Sequence, residues 1–162
     1  MDWTQTWPAA WKVILFATLP ILELRGAIPY ALFVEKMPWP RAYLLSVIGN
    51  MIPVLPILLF LGPAERWLGK YRLWRRFFDW LFARTRRRGK LIDRYKVLGL
   101  VLFVGIPLPV TGAWTGCAAA HVFGVPLRKS LPAVTLGVLM AGVVVTLACK
   151  AGFAVGLFFR QM

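Results

Sequence analysis

Residues 19–29 decide the fold that the sequence predicts, and they read LPILELRGAIP. Glu23 and Arg25 lie here where two apolar blocks meet, residues 8–24 and 27–34, each shorter than the ~20 residues that a membrane-spanning helix needs. Helix-breaking residues fall in the same stretch, namely Pro20, Gly26 and Pro29. The pattern predicts a broken, re-entrant hairpin over about residues 8–36, which enters a membrane, turns at depth and leaves near the same face.

The composition argues against a soluble protein. The chain has 162 residues, of which 59% are hydrophobic, whereas soluble domains are roughly 45–50% apolar. A soluble domain of this length could not bury so much apolar surface, so a soluble enzyme, a secreted disulfide scaffold and a disordered tail are all disfavoured. Cys117 and Cys149 lie in apolar stretches, without a Cys or His partner at metal-ligand spacing, and we expect them to be small buried hydrophobic residues.

The positive charge is concentrated in one segment. The formal net charge is +14, and residues 63–96 hold twelve basic and three acidic residues. A high isoelectric point also occurs in nucleic-acid-binding proteins, but this segment connects two apolar blocks of membrane length. The positive-inside rule predicts instead a multi-pass protein of the inner (cytoplasmic) membrane, with the connector 63–96 in the cytoplasm and no nucleic-acid partner.

An amphipathic helix is predicted within the connector. Aromatic residues recur at spacings of three and four, with basic residues between them, which makes one apolar helical face. A helix of this kind lies in the membrane interface and contacts lipids, including anionic or phosphate-bearing ones. An anchor and topology signal is favoured over a specific lipid site. The expected membrane-surface residues are Trp67, Lys70, Tyr71, Trp74, Arg75, Arg76 and Phe78.

Two stretches are long and apolar enough to span a bilayer. Residues 42–61 carry no charge, and Pro53 and Pro56 predict a kink in that helix; residues 131–159 carry Lys150 as their one charge. Residues 97–125 carry no formal charge but hold too many helix breakers for one smooth helix. They predict a second re-entrant hairpin, whose breakers are Gly105, Pro107, Pro109, Gly112, Gly116 and Gly124.

The two halves repeat one layout, a broken hairpin followed by a transmembrane helix. The first repeat covers residues 1–62 and the second covers residues 97–162. Because the connector is expected in the cytoplasm, the first hairpin should dip from outside and the second from inside, which makes the repeats inverted. Discontinuous helices in inverted repeats are typical of secondary transporters, whose site lies near the bilayer midplane. The predicted fold class is therefore an all-α integral membrane protein.

Glu23 and Arg25 are the first candidates for a functional site. A carboxyl group held away from water can exchange a proton near neutral pH, whereas a guanidinium stays charged. Ionisable groups within a membrane are costly and are functional candidates by default. We expect Glu23 to take up and release a coupling proton, while Arg25 binds an anionic group or restrains Glu23. The alternative is a structural ion pair that fixes the hairpin.

The second break, residues 107–116, offers hydroxyl groups, an indole N–H and free backbone amides. A helix that begins after Gly112 would direct its positive end into the membrane, which suits an anion. Gly112 and Gly116 also allow close helix packing, and the sequence leaves binding and packing open, as it does for Asn50 in the first span. The predicted substrate- or ion-binding residues are Glu23, Arg25, Gly26, Pro29, Asn50, Pro107, Pro109, Thr111, Gly112, Trp114 and Thr115.

No known catalytic arrangement is present in the sequence. It lacks a catalytic dyad, a nucleophile elbow, a P-loop and a cysteine cluster, so we expect neither an enzyme nor a cofactor. His121 is the single histidine, and the sequence favours a satisfied polar group at a helix end over a proton relay. Gly152 and Gly156 have a spacing that allows a homodimer contact.

Three segments resemble one known family. The segment from Glu23 to Pro29, the Gly49-Asn50 pair with Pro53, and the segment from Pro107 to Gly116 resemble the small multidrug export proteins, and the resemblance covers nearly the whole chain. The resemblance implies transport without fixing a substrate.

The layout is also similar to the DedA (VTT-domain) membrane proteins, whose paired re-entrant hairpins carry acidic and basic residues. That similarity implies a flippase for polyprenyl phosphate or another anionic lipid. The second hairpin here departs from the DedA pattern because it has no arginine and no acidic residue. The early glutamate is similar to that of the small multidrug resistance transporters, although the rest of the pattern differs.

We therefore predict a small secondary transporter of the cytoplasmic membrane, coupled to protons through Glu23. The alternative within this class is a DedA-like lipid flippase. The alternative from another class is a membrane scaffold that does not transport and that works through its arginine-rich helix.

Overall fold

The structure, a computed structural model, describes residues 8–88, 92, 95–107 and 111–160. Every regular element in these ranges is a helix. In chain order they are α1 (Ala9–Thr18), α2 (Glu23–Pro29), a π-helical segment (Tyr30–Val34), α3 (Trp39–Met51), α4 (Val54–Leu68), α5 (Arg72–Arg88), α6 (Val97–Gly105), α7 (Ala113–Val122) and α8 (Leu127–Arg160).

The chain folds back on itself in the first hairpin. After α1 it turns through residues 19–22, and α2 with the π-helical segment returns alongside α1. The returning end is fixed by Lys12 Nζ, which lies 3.2 Å from Glu35 Oε1. The first leg has 10 residues, so it is ~15 Å long. That is about half of the ~30 Å hydrocarbon thickness of a bilayer.

Proline explains the change of helix type in the returning leg. Pro29 has no N–H, so the carbonyl of Arg25 loses its usual α-helical donor. The helix widens directly after it, and the N–H of Glu35 donates to the Tyr30 carbonyl at 3.1 Å. Such π turns are rare in proteins overall, and those that occur are frequently found at functional sites.

Two helical stretches are long and apolar enough to cross a membrane, Trp39–Leu68 and Leu127–Gly152. Their mean hydropathies are 2.3 and 2.2, yet only 28% and 39% of the most apolar windows are buried. The remaining apolar surface faces outward, as expected for contact with lipid. Two apolar helices of this length and the exposed apolar surface agree with the predicted membrane protein. Along α8 the exposed apolar residues recur at helical spacing: Leu136, Leu139, Met140, Val143, Val144 and Leu147.

The first long stretch is kinked where the sequence predicts it. Helix α3 ends at Met51 and α4 begins at Val54, because Pro53 cannot donate to the Gly49 carbonyl. Thr18 from the first hairpin donates its hydroxyl to that carbonyl at 3.0 Å. This hydrogen bond therefore fixes the end of α1 to the kink in the middle of the long stretch.

The two halves pack in the same way. In each half the first hairpin leg contacts the following long helix at a glycine. A Cβ at Gly49 would lie 2.5 Å from the Ile14 carbonyl oxygen in α1, and one at Gly137 would lie 2.6 Å from Cβ of Val104 in α6. The second legs pack crosswise, α2 against α8 and α7 against α4.

The long helices of the two halves run antiparallel. Tyr43, near the start of α3, donates its hydroxyl to the Leu139 carbonyl of α8 at 3.1 Å. Trp39, one turn earlier, contacts Lys150, which lies three turns later in α8. Earlier residues of α3 therefore lie beside later residues of α8, as expected for an antiparallel pair.

Part of the predicted amphipathic face is wrong. Helix α4 continues to Leu68, so Trp67 belongs to the long stretch, and a turn at residues 69–71 separates it from α5. Phe78 is only 6% exposed, because α5 packs against α7 and this contact covers the ring. Tyr71 and Trp74 are exposed, as are Lys70, Arg75 and Arg76.

Gly137→Ala tests the close approach of α6 and α8. The added Cβ would meet Val104 at 2.6 Å and the Val101 carbonyl oxygen at 3.0 Å, and overpacking of this kind costs about 1–3 kcal/mol. We expect a lower midpoint of thermal unfolding in detergent. Gly152→Ala is the matched control, since nothing lies within 4 Å of its added methyl group. Equal shifts in both variants would contradict the close packing.

Candidate functional site

The turns of the two hairpins lie against each other. The backbone N–H of Trp114 in α7 donates to Glu23 Oε1 at 3.3 Å. The indole N–H of Trp114 donates to the Thr18 carbonyl at 3.2 Å, and Arg25 Nη2 donates to the Thr111 carbonyl. Three hydrogen bonds therefore join residues that are far apart in sequence.

The Glu23 carboxylate caps helix α7. It is 8% exposed and lies at the first turn of α7, where free N–H groups and the helix dipole favour negative charge. A Cβ at Gly112 would overlap this carboxylate, so the approach requires glycine at that position. The sequence predicts an anion-binding helix end here, and the structure fills that end with the side chain of Glu23.

The backbone at Glu23 is strained. Its φ of +44° lies in the left-handed region, which is uncommon for residues other than glycine. Such conformations cost about 1–3 kcal/mol and persist where the surrounding contacts hold them. At Glu23 those contacts are the bond to α7 and the backbone bond from its own N–H to the Leu19 carbonyl at 3.0 Å.

Two spaces adjoin this contact. The first is an open cleft of about 280 Å³, lined by residues 20–23 together with Arg25, Thr111 and Thr115. The second is an inner cavity of about 10 Å³, lined in part by Asn50, Pro107 and Gly112. A cavity of that size suits one water molecule. Glu23, Arg25 and Thr111 line both spaces, so they lie where the two spaces adjoin.

Two buried polar side chains with unsatisfied atoms lie one turn apart on α3, and one of them, Asn50, lines the inner cavity. Asn50 is 1% exposed, and its Oδ1 has no hydrogen-bond partner among the described residues. Ser46, one turn earlier, is fully buried, and its Oγ also lacks a partner there. Burying polar atoms without a hydrogen bond costs free energy. The pair therefore marks a place where water or a polar ligand group would be stabilised.

An apolar groove adjoins the open cleft. It has a volume of about 530 Å³ and lies between α4, α5 and α7. Pro20 and Thr115 line both the groove and the cleft, so the two spaces are neighbours. Pockets of 300–1,000 Å³ with mainly apolar walls are typical of small-molecule sites. The apolar walls are Ile57, Phe60, Leu61, Leu81, Trp114 and Ala118.

The structure brings together most of the residues that the sequence singles out. Glu23, Arg25, Asn50, Pro107, Thr111, Gly112 and Thr115 line the cleft or the cavity, and Trp114 borders the groove. Gly26 and Pro29 line none of these spaces: Gly26 packs on Leu22, and Pro29 ends α2. Pro109 lies outside the described residues. Binding by all of these residues stays a prediction.

Two contacts are not predicted by the sequence, one at the site and one at the far end of α7. Thr18 donates its hydroxyl to the kink of the long helix and accepts a hydrogen bond from the Trp114 indole at its carbonyl. The sequence signal for the first of these contacts is Pro53, which leaves the Gly49 carbonyl without its helical donor. His121 Nε2 lies 2.7 Å from Glu65 Oε2 and so connects the end of α7 to α4. The sequence favours this kind of structural role for His121, but it does not identify Glu65 as the partner.

Metal ligands are not grouped in the described part of the chain. No set of three His, Cys, Asp or Glu residues there could hold an ion. Cys117 is fully buried against α4, where its thiol contacts the Val54 carbonyl at 3.8 Å, and Cys149 is partly buried.

Comparison with known proteins gives one family. The family model described as "Putative small multi-drug export protein" matches residues 23–144. The match begins at Glu23, inside the first break, and includes the connector, the second break and about the first half of α8. No curated protein and no solved structure matches the chain.

Glu23→Ala should release the N-terminus of α7. The Trp114 amide would lose its acceptor at 3.3 Å, and a hydrogen bond to a charged group contributes about 1.5–3 kcal/mol. We expect hydrogen exchange at residues 113–116 to accelerate about tenfold or more, measured by mass spectrometry in nanodiscs. Glu35→Ala is the control, because Glu35 bonds only to Lys12 and Tyr30 at the other end of the hairpin among the described residues. Equal acceleration in both variants would indicate general loosening of the hairpin and exclude a specific cap.

Proposed function

Because the chain belongs to the small multi-drug export family, we propose that it is a small secondary transporter whose gate is the contact between Glu23 and the N-terminus of α7. The observation that carries this proposal is that Glu23 lines both the open cleft and the inner cavity. We infer that its contact with α7 closes the passage between these two spaces and opens that passage when it breaks.

Neutralising Glu23 would open the gate. A protonated carboxyl group no longer attracts the positive end of α7, and the hydrogen bond from Trp114 loses its charge. The strained backbone at Glu23 could then relax. Separation of Glu23 from α7 would join the cleft to the inner cavity, where Asn50 offers an unsatisfied polar atom.

Proton coupling follows from having one carboxylate at the gate. A proton and a cationic substrate group would both neutralise Glu23, and only one of them can do so at a time. Competition for a single carboxylate produces exchange: the substrate leaves when a proton arrives. Arg25 would keep its charge and hold Thr111 in place through its bond to that carbonyl.

The substrate class follows from the walls of the adjoining spaces. The groove of about 530 Å³ is apolar, and the cleft beside it ends at a carboxylate. A lipophilic cation would place its apolar body in the groove and its charge at Glu23. This chemistry is that of many membrane-permeant drugs and dyes.

The proposed topology is a pair of inverted repeats with re-entrant hairpins in the inner membrane. It is supported by legs too short to span, by the antiparallel α3 and α8, and by the crosswise packing of the second legs. The basic helix α5 would face the cytoplasm. Since Leu81 of α5 lines the apolar groove, substrates would enter from the cytoplasmic leaflet, which is the direction of export.

A lipid-phosphate flippase fits the contacts less well. Phosphate would need Arg25 and the amides of α7, yet Arg25 donates to Thr111 and the amides face Glu23. A scaffold that works through α5 leaves the buried strained glutamate unexplained. Charge reversal at Arg86 and Arg87 distinguishes the scaffold, which would lose its partner, from a transporter, which would keep exchange in correctly oriented vesicles.

Glu23→Gln should abolish exchange without unfolding the protein. Glutamine preserves the shape and the hydrogen-bond acceptor but cannot take up a proton. We expect ethidium uptake into proteoliposomes to lose its dependence on the proton gradient, because a neutral side chain cannot exchange a proton, with the thermal midpoint changed by only a few degrees. Glu35→Gln is the matched control and should transport like the wild type, since Glu35 lines neither cavity nor cleft. Full activity of Glu23→Gln would remove Glu23 from the mechanism.

Filling the groove should block lipophilic substrates selectively. Ala64 lines the groove, so Ala64→Trp would occupy part of its volume. We expect the affinity for ethidium, measured by fluorescence anisotropy in detergent, to fall at least tenfold. Ala83→Trp introduces the same ring at an exposed site of α5 outside the groove and should bind normally. If Ala64→Trp binds as tightly as Ala83→Trp, the substrate lies elsewhere.

A further inference from the structure

A fourth space lies at the opposite end of the long helices from α5. It is a groove of about 490 Å³ between the start of α3 and the later part of α8. Its walls are Trp39, Tyr43, Val143, Thr146, Leu147 and Lys150. None of these residues lines the cleft, the inner cavity or the apolar groove of the candidate site.

The groove exists because a tyrosine holds the two helices together at its base. Gly142 lets the ring of Tyr43 lie directly on α8: a Cβ there would be 2.7 Å from Cε2 of that ring. The Tyr43 hydroxyl donates to the Leu139 carbonyl at 3.1 Å. Beyond this contact Val143 and Leu147 are 48% and 61% exposed and form an apolar wall open to the outside.

One positively charged residue, Lys150, lines the groove. Lys150 Nζ lies 5.1 Å from the centroid of the Trp39 ring, within range of a cation–π contact. Among the residues that the structure describes, no carboxylate lies within ion-pair distance of Lys150. Lys150 lies about 30 Å along α8 from Lys129, at 1.5 Å per residue, so the two lysines mark opposite membrane faces.

We propose that this groove binds an anionic glycerophospholipid. One acyl chain would lie along Val143 and Leu147, and the phosphate would contact Lys150. An indole at headgroup level is typical of membrane interfaces, and Trp39 would take that place. The charge of Lys150 and the apolar wall together fit a lipid, whereas free phosphate would use only the lysine.

The lipid would lie against the outer face of a helix whose inner face lines the candidate site. Val138, Ala141 and Val145 of α8 line the inner cavity, while Val143 and Leu147 line the lipid groove. The site is independent of the proposed transport function, because it needs only that α3 and α8 lie in a bilayer.

Photocrosslinking tests the proposal. A p-benzoylphenylalanine at Leu147 would report the lipid in the groove, and one at Leu136, exposed on the same helix outside the groove, would report bulk lipid. The protein is placed in vesicles of equal amounts of phosphatidylglycerol and phosphatidylcholine. We expect the phosphatidylglycerol fraction of the adducts to exceed the bulk fraction at Leu147 and to equal it at Leu136.

Lysine variants show whether the enrichment depends on the groove. Lys150→Ala should lower the ratio of phosphatidylglycerol to phosphatidylcholine adducts at Leu147 about fivefold, as expected for one basic residue near a lipid surface. Lys129→Ala removes the same charge from the other end of α8 and should leave the enrichment unchanged. Added inorganic phosphate should not compete. Bulk composition at Leu147, equal loss in both lysine variants, or competition by phosphate would each overturn the proposal.

Discussion

The fold depends on one electrostatic contact, the Glu23 carboxylate at the N-terminus of α7. Breaks between helices leave free backbone groups, and in the proposed re-entrant topology water could not satisfy them at membrane depth. Here each turn satisfies the other. Glu23 accepts from the Trp114 amide, Arg25 donates to the Thr111 carbonyl, and the Trp114 indole donates to the carbonyl that ends α1. The two breaks are tolerated because polar groups beside each break form hydrogen bonds with polar groups beside the other.

The strained backbone of Glu23 offsets part of what the contact contributes. A hydrogen bond to a charged group contributes about 1.5–3 kcal/mol, and the left-handed backbone of Glu23 costs about 1–3 kcal/mol. The Trp114 indole and the Arg25 guanidinium add two further hydrogen bonds to the same contact. In the proposed gate, a fully relaxed glutamate with the same partners would hold the contact shut more firmly.

The sequence predicted the site from local features, and it failed where contacts are distant. Ionisable residues within apolar blocks identified Glu23 and Arg25, and proline and glycine located both breaks. Nothing local shows that Glu23 meets Trp114, since 91 residues separate them. Phe78 was wrongly placed on the membrane surface because spacing identifies an apolar face but not what covers it; in the structure α7 does.

The two halves contribute unequal chemistry to one site. The first supplies side-chain charges, Glu23 and Arg25, whereas the second supplies backbone groups of Thr111 and Trp114. Gly112 is essential to this division, because any side chain there would displace the carboxylate. A pair of identical hairpins would bring two carboxylates together, and their mutual repulsion would oppose closure. The divergence of the second segment therefore leaves one carboxylate at the contact, and under the proposed function each opening would exchange one charge at Glu23.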